Sequence, residues 1–354
     1  MNANIPVLVY FERWLDSVAE TMLEPSSDVD LVRLEYASPQ ADNYAEMARA
    51  HGYQISPRTE IQEPWLGDAD LLAKCPNLLA ISSAGAGYDV VNVSDCTKAG
   101  VILVNQSGTN KEGVAEHAMG LMLALCKKIM SADRDMRRVK NIQRFSYTGS
   151  EMLGKTLGII GLGQIGTRTV ELCKHIFNMR VIAYDPYLTA EQIAERGGEK
   201  VEMDELFAKS DFISVHCPRT DESFGMIGKT QFDLMKPTAF FVTTARGGVH
   251  KEDDLVQALK DGKLAGAGID VFLEEPPPLD HPLFEFDNVI ATPHMAGITA
   301  ESLRAATVAA VEQWLVIFSG GVPPRLINPE VWSLYCERFE KIFGRRPAAL
   351  PKAA

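Results

Sequence analysis

No two of the six cysteines (Cys75, Cys96, Cys126, Cys173, Cys217, Cys336) stand in a C-x-x-C pair or at metal-ligand spacing. A disulfide framework and a bound metal are therefore not expected, and the thiols read as reduced groups of a cytoplasmic protein. The chain also lacks a basic excess. Its 35 Lys and Arg against 47 Asp and Glu leave a net charge of −12, which argues against nucleic acid or an anionic membrane as partner. An anionic substrate stays possible, because one buried arginine overrides the global field locally. No stretch approaches the roughly 20 apolar residues of a membrane span. The apolar run at 5–10 is short, has no basic flank and meets Glu12 and Arg13 at once, so it is not expected to be a signal peptide. No internal repeat occurs, and no low-complexity tract precedes the alanine-rich 348–354.

What the 354 residues do have is a rhythm of short apolar runs alternating with helical patterns. The runs at 6–10, 78–82, 101–104, 156–160, 181–184, 212–215, 239–243, 268–272 and 289–291 read as strands, several of them apolar on both faces, as in a buried parallel sheet. Helical patterns at 111–129, 164–177, 252–260 and 299–318 lie between them. Alternating βα order predicts an α/β fold of two doubly wound, Rossmann-like parallel-sheet domains. One is expected over 1–110 plus 300–332 and would bind the substrate. The other is expected over 111–299 and would bind a dinucleotide, and two chain crossings would leave a cleft between them. After Pro323 the chain has Pro, Asn and few apolar periods, so 333–354 is expected to be an irregular or partly ordered tail.

The strongest local signal is Gly161-Leu-Gly163-Gln164-Ile165-Gly166. A lone G-x-G-x-x-G is weak, but here an apolar strand precedes it and a helix pattern follows. A second strand then ends at Asp185, 185 − 166 = 19 residues beyond the third glycine. Gly161 permits the tight turn, Gly163 lets backbone approach a pyrophosphate, and Gly166 lets helix pack on strand. The helix N-terminus offers free N–H groups to phosphate. Asp185 can accept from ribose hydroxyls and repels a 2′-phosphate, which points to NAD. Downstream, Arg246, Glu275 and His294 each follow a predicted strand, where βα loops converge. An arginine that can hold a carboxylate and a histidine that can move a proton are the groups that reduction of a 2-keto acid requires. His281, in Asp-His-Pro-Leu-Phe, is the rival to His294.

Thr244-Ala-Arg246-Gly-Gly, Gly268-Ile-Asp270-Val-Phe with Glu275-Pro-Pro, and Thr292-Pro-His294-Met-Ala-Gly297 together resemble the D-isomer-specific 2-hydroxyacid dehydrogenases. Ser83-Ala-Gly85-Ala-Gly87-Tyr-Asp89 and Val114-Ala-Glu-His117 add to the likeness, which runs from about residue 75 to 330. The resemblance implies an enzyme that interconverts a small D-2-hydroxy acid and its 2-keto acid, of glyoxylate or hydroxypyruvate type. Arg246 would hold the substrate, His294 would be the acid/base, and Glu275 would stabilise its imidazolium. It also implies that Ala86 and Gly87 N–H groups take the carboxylate. Thr244 and Asp270 would lie toward the nicotinamide, His216, Cys217 and Pro218 beside the adenine, and Gly297 would also touch the cofactor.

Thr243, Gln164 and His250 depart from the family's commonest residues, and the family pattern is not traceable over 37–66, where Arg58 or Trp65 could tune substrate choice. A homodimer is expected, built around helix 111–129 and the segment 130–150. A non-catalytic NAD-sensing scaffold of corepressor type is the alternative. A phosphoglycerate-type enzyme with a regulatory module is disfavoured, because the chain ends soon after the helix 299–318.

Overall fold

The computed structural model describes residues 5–23 and 28–351. The chain divides into two compact units, one of residues up to Asn110 with those from Ala300 onward, the other Lys111–Thr299. In the first, β1 (Val7–Phe11), β2 (Asp30–Leu34), β3 (Gly52–Ile55), β4 (Ala80–Ser83) and β5 (Ile102–Val104) form a parallel sheet in the order β2-β1-β3-β4-β5. Along β1, Val7, Val9 and Phe11 enter one core while Leu8 and Tyr10 enter the other, so both faces are covered and the strand is apolar throughout. The helices between strands are locally specified. Asn92 caps Val93–Ala99 through the Asp95 N–H, and Gly100 ends that helix in the left-handed conformation.

The segment expected to be an irregular tail is largely helix. Trp332–Phe343 is helical, and Trp332, Tyr335, Cys336 and Phe339 recur at i, i+3, i+4, i+7 and are buried. They join Trp314 and Phe318 of the helix Ala300–Phe318 in covering one face of the first sheet. The apolar stripe is present in the sequence, but it lasts only one helix and follows Pro329, which masks its periodicity. Trp65 is also corrected as a candidate for substrate choice. It is 3% exposed and packs, its ring tilted, in an aromatic cluster with Phe11 and Tyr44.

In the second unit, β6 (Thr156–Ile160), β7 (Arg180–Tyr184), β8 (Glu199–Lys200), β9 (Phe212–Val215), β10 (Phe240–Thr243), β11 (Gly266–Ile269) and β12 (Val289–Ala291) form a parallel sheet. Its order is β12-β11-β10-β9-β6-β7-β8. The chain builds outward from β6 to β8, then returns to the other side of β6, so the order reverses between β6 and β9. Such a switch point opens a crevice at the carboxyl ends of the strands. The apolar pattern over 111–129 is two helices, Lys111–Cys126 and Ile129–Arg138, because Lys128 takes φ 54° and turns the chain. The first packs on β10, β11 and β12. Among the described residues no helix is long and apolar enough to cross a membrane.

Candidate active site

The switch-point crevice of the second unit is lined by the glycine turn. Gly161 has φ +86°, and a Cβ there would sit 2.6 Å from the Cys217 amide nitrogen at the end of β9. A Cβ on Gly166 would collide with the Gly161 carbonyl, so helix Gln164–Phe177 can start this close to the strand only with glycine. Around Gly163 the space is open, leaving the cradle a pyrophosphate needs at the helix N-terminus. The Asp185 carboxylate accepts from the Leu162 N–H at 2.9 Å and from the Tyr187 N–H at 3.0 Å. It is thereby fixed at the lip of the turn with lone pairs to spare for ribose hydroxyls. Arg196 donates to the Leu162 carbonyl at 2.5 Å, so the central residue of the turn is held at both its N–H and its carbonyl. These residues fit a dinucleotide.

The wall beyond β9 is half-buried at His216 and Cys217 and exposed at Pro218. His216 is kept unprotonated by burial, which pushes its pKa down to about 4. Its Nε2 lies 2.9 Å from the Ser214 hydroxyl and its Nδ1 3.4 Å from that of Thr244. Burial likewise pushes the Cys217 thiol up to about 11, so this wall offers shape rather than a nucleophile. Pro218 follows, its carbonyl accepting from Ser223.

The carboxyl ends of β10, β11 and β12 carry the three candidate catalytic residues. Arg246 follows β10 and donates to the Ala245 carbonyl at 2.7 Å. Glu275 follows β11. Its Oε1 accepts from the Phe272 N–H at 3.0 Å, and its Oε2 lies 2.8 Å from His294 Nδ1. Burial pushes the Glu275 carboxyl up, but the hydrogen bond and charge of His294, the Phe272 N–H and Arg246 pull it down further, leaving it below the ordinary range. It is therefore an anion near neutral pH, and since an anionic carboxylate only accepts, Nδ1 of His294 carries the hydrogen. Nε2 is left for a ligand oxygen.

His294 has φ 52°, a left-handed conformation uncommon for residues other than glycine, though histidine takes it more readily than most. Its own N–H donates to the Asp270 carbonyl at 2.7 Å. The Asp270 side chain, wholly buried, accepts from the Thr292 hydroxyl at 2.6 Å and from the Met295 and Ala296 amides at 2.9 and 3.0 Å. The loop Thr292–Ala296 is thus hung on Asp270. The family resemblance places Asp270 with the cofactor and does not disclose this role as anchor of the histidine, although an acid at a strand end beside a Thr-Pro turn is a readable signal.

His281 is the poorer proton donor. Its Nε2 is 3.1 Å from Glu252 and its Nδ1 accepts from the Leu283 N–H at 3.3 Å, so both nitrogens are engaged within the protein.

In the first unit, the loop after β4 is pinned by its carbonyls. Gly85 accepts from the Gln106 N–H, Ala86 from the Asn105 side chain and Gly87 from the Ser83 hydroxyl. This sheet also reverses order, between β1 and β3, and a hollow there is lined by Arg13, Trp14, Gln54, Ser56, Ala84 and Thr307 among others. Trp14 and Gln54 are buried, and nothing in the sequence pattern marks them.

A sequence model described as "D-isomer specific 2-hydroxyacid dehydrogenase, NAD binding domain" matches residues 119–296. The chain belongs to this family. The D-3-phosphoglycerate dehydrogenase of Archaeoglobus fulgidus is 42% identical over 258 residues, covering 73% of this chain and 48% of its own length. The glyoxylate reductase of Thermofilum pendens is 36% identical over 268 residues, covering 75% of this chain and 79% of its own. The chain thus spans about half the length of the phosphoglycerate dehydrogenases it matches. Among solved structures, the D-lactate dehydrogenase of Aquifex aeolicus, complexed with NAD and lactic acid, aligns at TM-score 0.76 with 27% identity over 90% of this chain and 98% of that one. A D-mandelate dehydrogenase from Rhodotorula graminis shares the fold at TM-score 0.81 and 23% identity, covering 91% and 97% of the two chains. The residues matched by the NAD-binding-domain model lie within the second unit, and the glycine turn, Asp185 and the β9 wall fall among them.

Proposed function

We propose that the protein is an NAD-dependent D-2-hydroxyacid dehydrogenase acting on a small 2-keto acid and its D-2-hydroxy acid, of glyoxylate or hydroxypyruvate type. The observation that carries this reading is the Glu275–His294 pair at 2.8 Å, with Arg246, Glu275 and His294 following the three consecutive strands β10, β11 and β12. When bound, the nicotinamide supplies or takes the hydride. Arg246 holds the substrate carboxylate and polarises the keto oxygen, where negative charge develops. Nε2 of His294 gives its proton to that oxygen in reduction and takes it back in oxidation. Glu275 holds the ring in the orientation and tautomer this needs, and its charge favours the imidazolium. In the first unit, the Ala86 and Gly87 amides are the proposed carboxylate donors, and the nearby hollow suits a short side chain. The test is NADH oxidation with a panel of keto acids. Glyoxylate and hydroxypyruvate should turn over, and phenylpyruvate should lag. Turnover of none of them sinks the reading.

Asp185 is proposed to set the preference for NAD over NADP. Asp185→Ser should weaken NADH binding on the order of tenfold, the worth of a hydrogen bond to a charged group, and narrow the gap to NADPH. Binding of both cofactors can be followed by nicotinamide fluorescence. Native protein that binds NADPH as tightly as NADH would show that Asp185 does not face the ribose.

A homodimer is also proposed. The helix Lys111–Cys126 buries Ala118, Leu121, Met122 and Leu125 in the core of its own unit, so the apolar excess falls on the following segment. There Ile129, Met130, Met136, Val139 and Phe145 are exposed, Phe145 by 77%, and exposed apolar side chains so close in sequence are what an interface would cover. Light scattering at micromolar concentration should give twice the 38.9 kDa chain mass, and a monomer mass would refute it.

A further inference from the structure

Glu252 opens the helix Glu252–Lys260 just after the Arg246 turn, yet its carboxylate is spent on the segment that carries Glu275. Its Oε1 accepts from the Leu273 N–H at 2.7 Å, and its Oε2 lies 3.1 Å from His281 Nε2. Both side chains are largely buried, at 16% and 11% exposure. Because His281 Nδ1 already accepts from the Leu283 N–H, the hydrogen of the neutral ring sits on Nε2 and is donated to Glu252. The adjacent amides of Phe272 and Leu273 thus go one to each carboxylate, Phe272 to Glu275 and Leu273 to Glu252. On the other side, a Cβ at Gly247 would collide with the Phe272 carbonyl, so the Arg246 turn rests directly on the same backbone. Close by is His250, 2% exposed with Phe241 edge-on at 5.6 Å. Burial pushes its pKa down to about 4 against the opposing charge of Glu252, so it stays neutral near pH 7.

We infer that Glu252, with His281 as its partner, is a positioning residue that fixes the segment Phe272–Glu275 against the Arg246 turn and so sets the reach of Glu275 to His294. This rests on the dehydrogenase reading above. By motif alone His281 rivals His294 as the acid; the geometry makes it half of a second carboxylate–imidazole pair that never touches substrate.

The test compares Glu252→Gln, His281→Asn, Glu275→Gln and the Glu252→Gln/Glu275→Gln double variant in keto-acid reduction. Glutamine keeps the shape of Glu252, but it cannot satisfy both the Leu273 and His281 donors with its single acceptor oxygen. Asparagine at 281 keeps a cap acceptor for the Leu283 N–H and is too short to reach Glu252, so it isolates the tie if the glutamine variant folds poorly. Both single changes should lower kcat by up to about 100-fold, the scale on which a displacement of about 1 Å is felt, with NADH binding unchanged. In both, as in Glu275→Gln, the basic limb of the pH profile should move to lower pH, because a displaced or neutralised carboxylate no longer supports the cationic acid. In the Glu275→Gln background, Glu252→Gln should add little, because its effect runs through Glu275. Full additivity, or a lowered melting temperature with parent-like rate and pH profile, overturns the inference. A parent that reduces no keto acid overturns the dehydrogenase reading and takes this inference with it. A parent that turns over while the Glu252 and His281 variants match it overturns the inference alone.

Discussion

His294→Ala is expected to lower the turnover of keto-acid reduction by about 10²–10⁴-fold, the range for loss of a general acid, while NADH still binds. The ring reaches the site from a loop held by Asp270 through three hydrogen bonds, so deleting the imidazole leaves the loop in place. Glu275 would keep its Phe272 amide and lose only its partner. Proton delivery matters chiefly in the transition state, so kcat should fall much more than KM rises. The same substitution at His281 should leave proton transfer available, because His281 works inside the protein and acts on turnover only by displacing Glu275. Stopped-flow traces of NADH loss in both variants separate the two histidines. Near-native turnover in His294→Ala, with a dead His281→Ala that still carries its Glu275–His294 pair, would mean that the acid has been misassigned.

Arg246→Ala should fail differently, losing affinity and rate together. The guanidinium is proposed both to clamp the carboxylate and to face the oxygen that gains charge, and the second task alone is worth about 10²–10³-fold in kcat when one such donor is lost. The clamp adds a rise in KM, since a charge-assisted pair is removed. Arg246→Lys should recover part of the rate and little of the binding, because a point charge cannot reproduce the fork. Arg246 also helps hold Glu275 ionised. Its removal lets the Glu275 pKa rise, so the acid limb of the pH profile should move to higher pH. Steady-state kinetics give both constants, and a variant that changes only KM would remove Arg246 from the chemistry.

Much of this site is legible in residue order because each part is local. A strand, a glycine turn and a helix start are contiguous around Gly161–Gly166, and Arg246, Glu275 and His294 sit in short motifs at strand ends. What the order of residues hides depends on long-range partners. β3 holds the buried Gln54, whose side-chain carbonyl accepts from Trp314 Nε1 at 2.9 Å, and no local pattern announces that a polar residue is satisfied by one 260 positions away. The strand expected over 268–272 begins two residues earlier at Gly266. Its glycines mask it, yet a Cβ at Gly268 would press on Leu121 at 3.1 Å, so a residue of low strand propensity is what lets the helix approach. Asp270 and Glu252 escape notice as supports for the same reason: each grips a loop that is near in space and distant in sequence.

The most direct test of the account follows the transferred hydrogen itself. Hydroxypyruvate reduced with NADH carrying deuterium in place of both hydrogens at the nicotinamide C4 should give glycerate of D configuration bearing one deuterium at C2, with one NADH consumed per product formed. Glycerate without deuterium at C2, or product of L configuration, would contradict it.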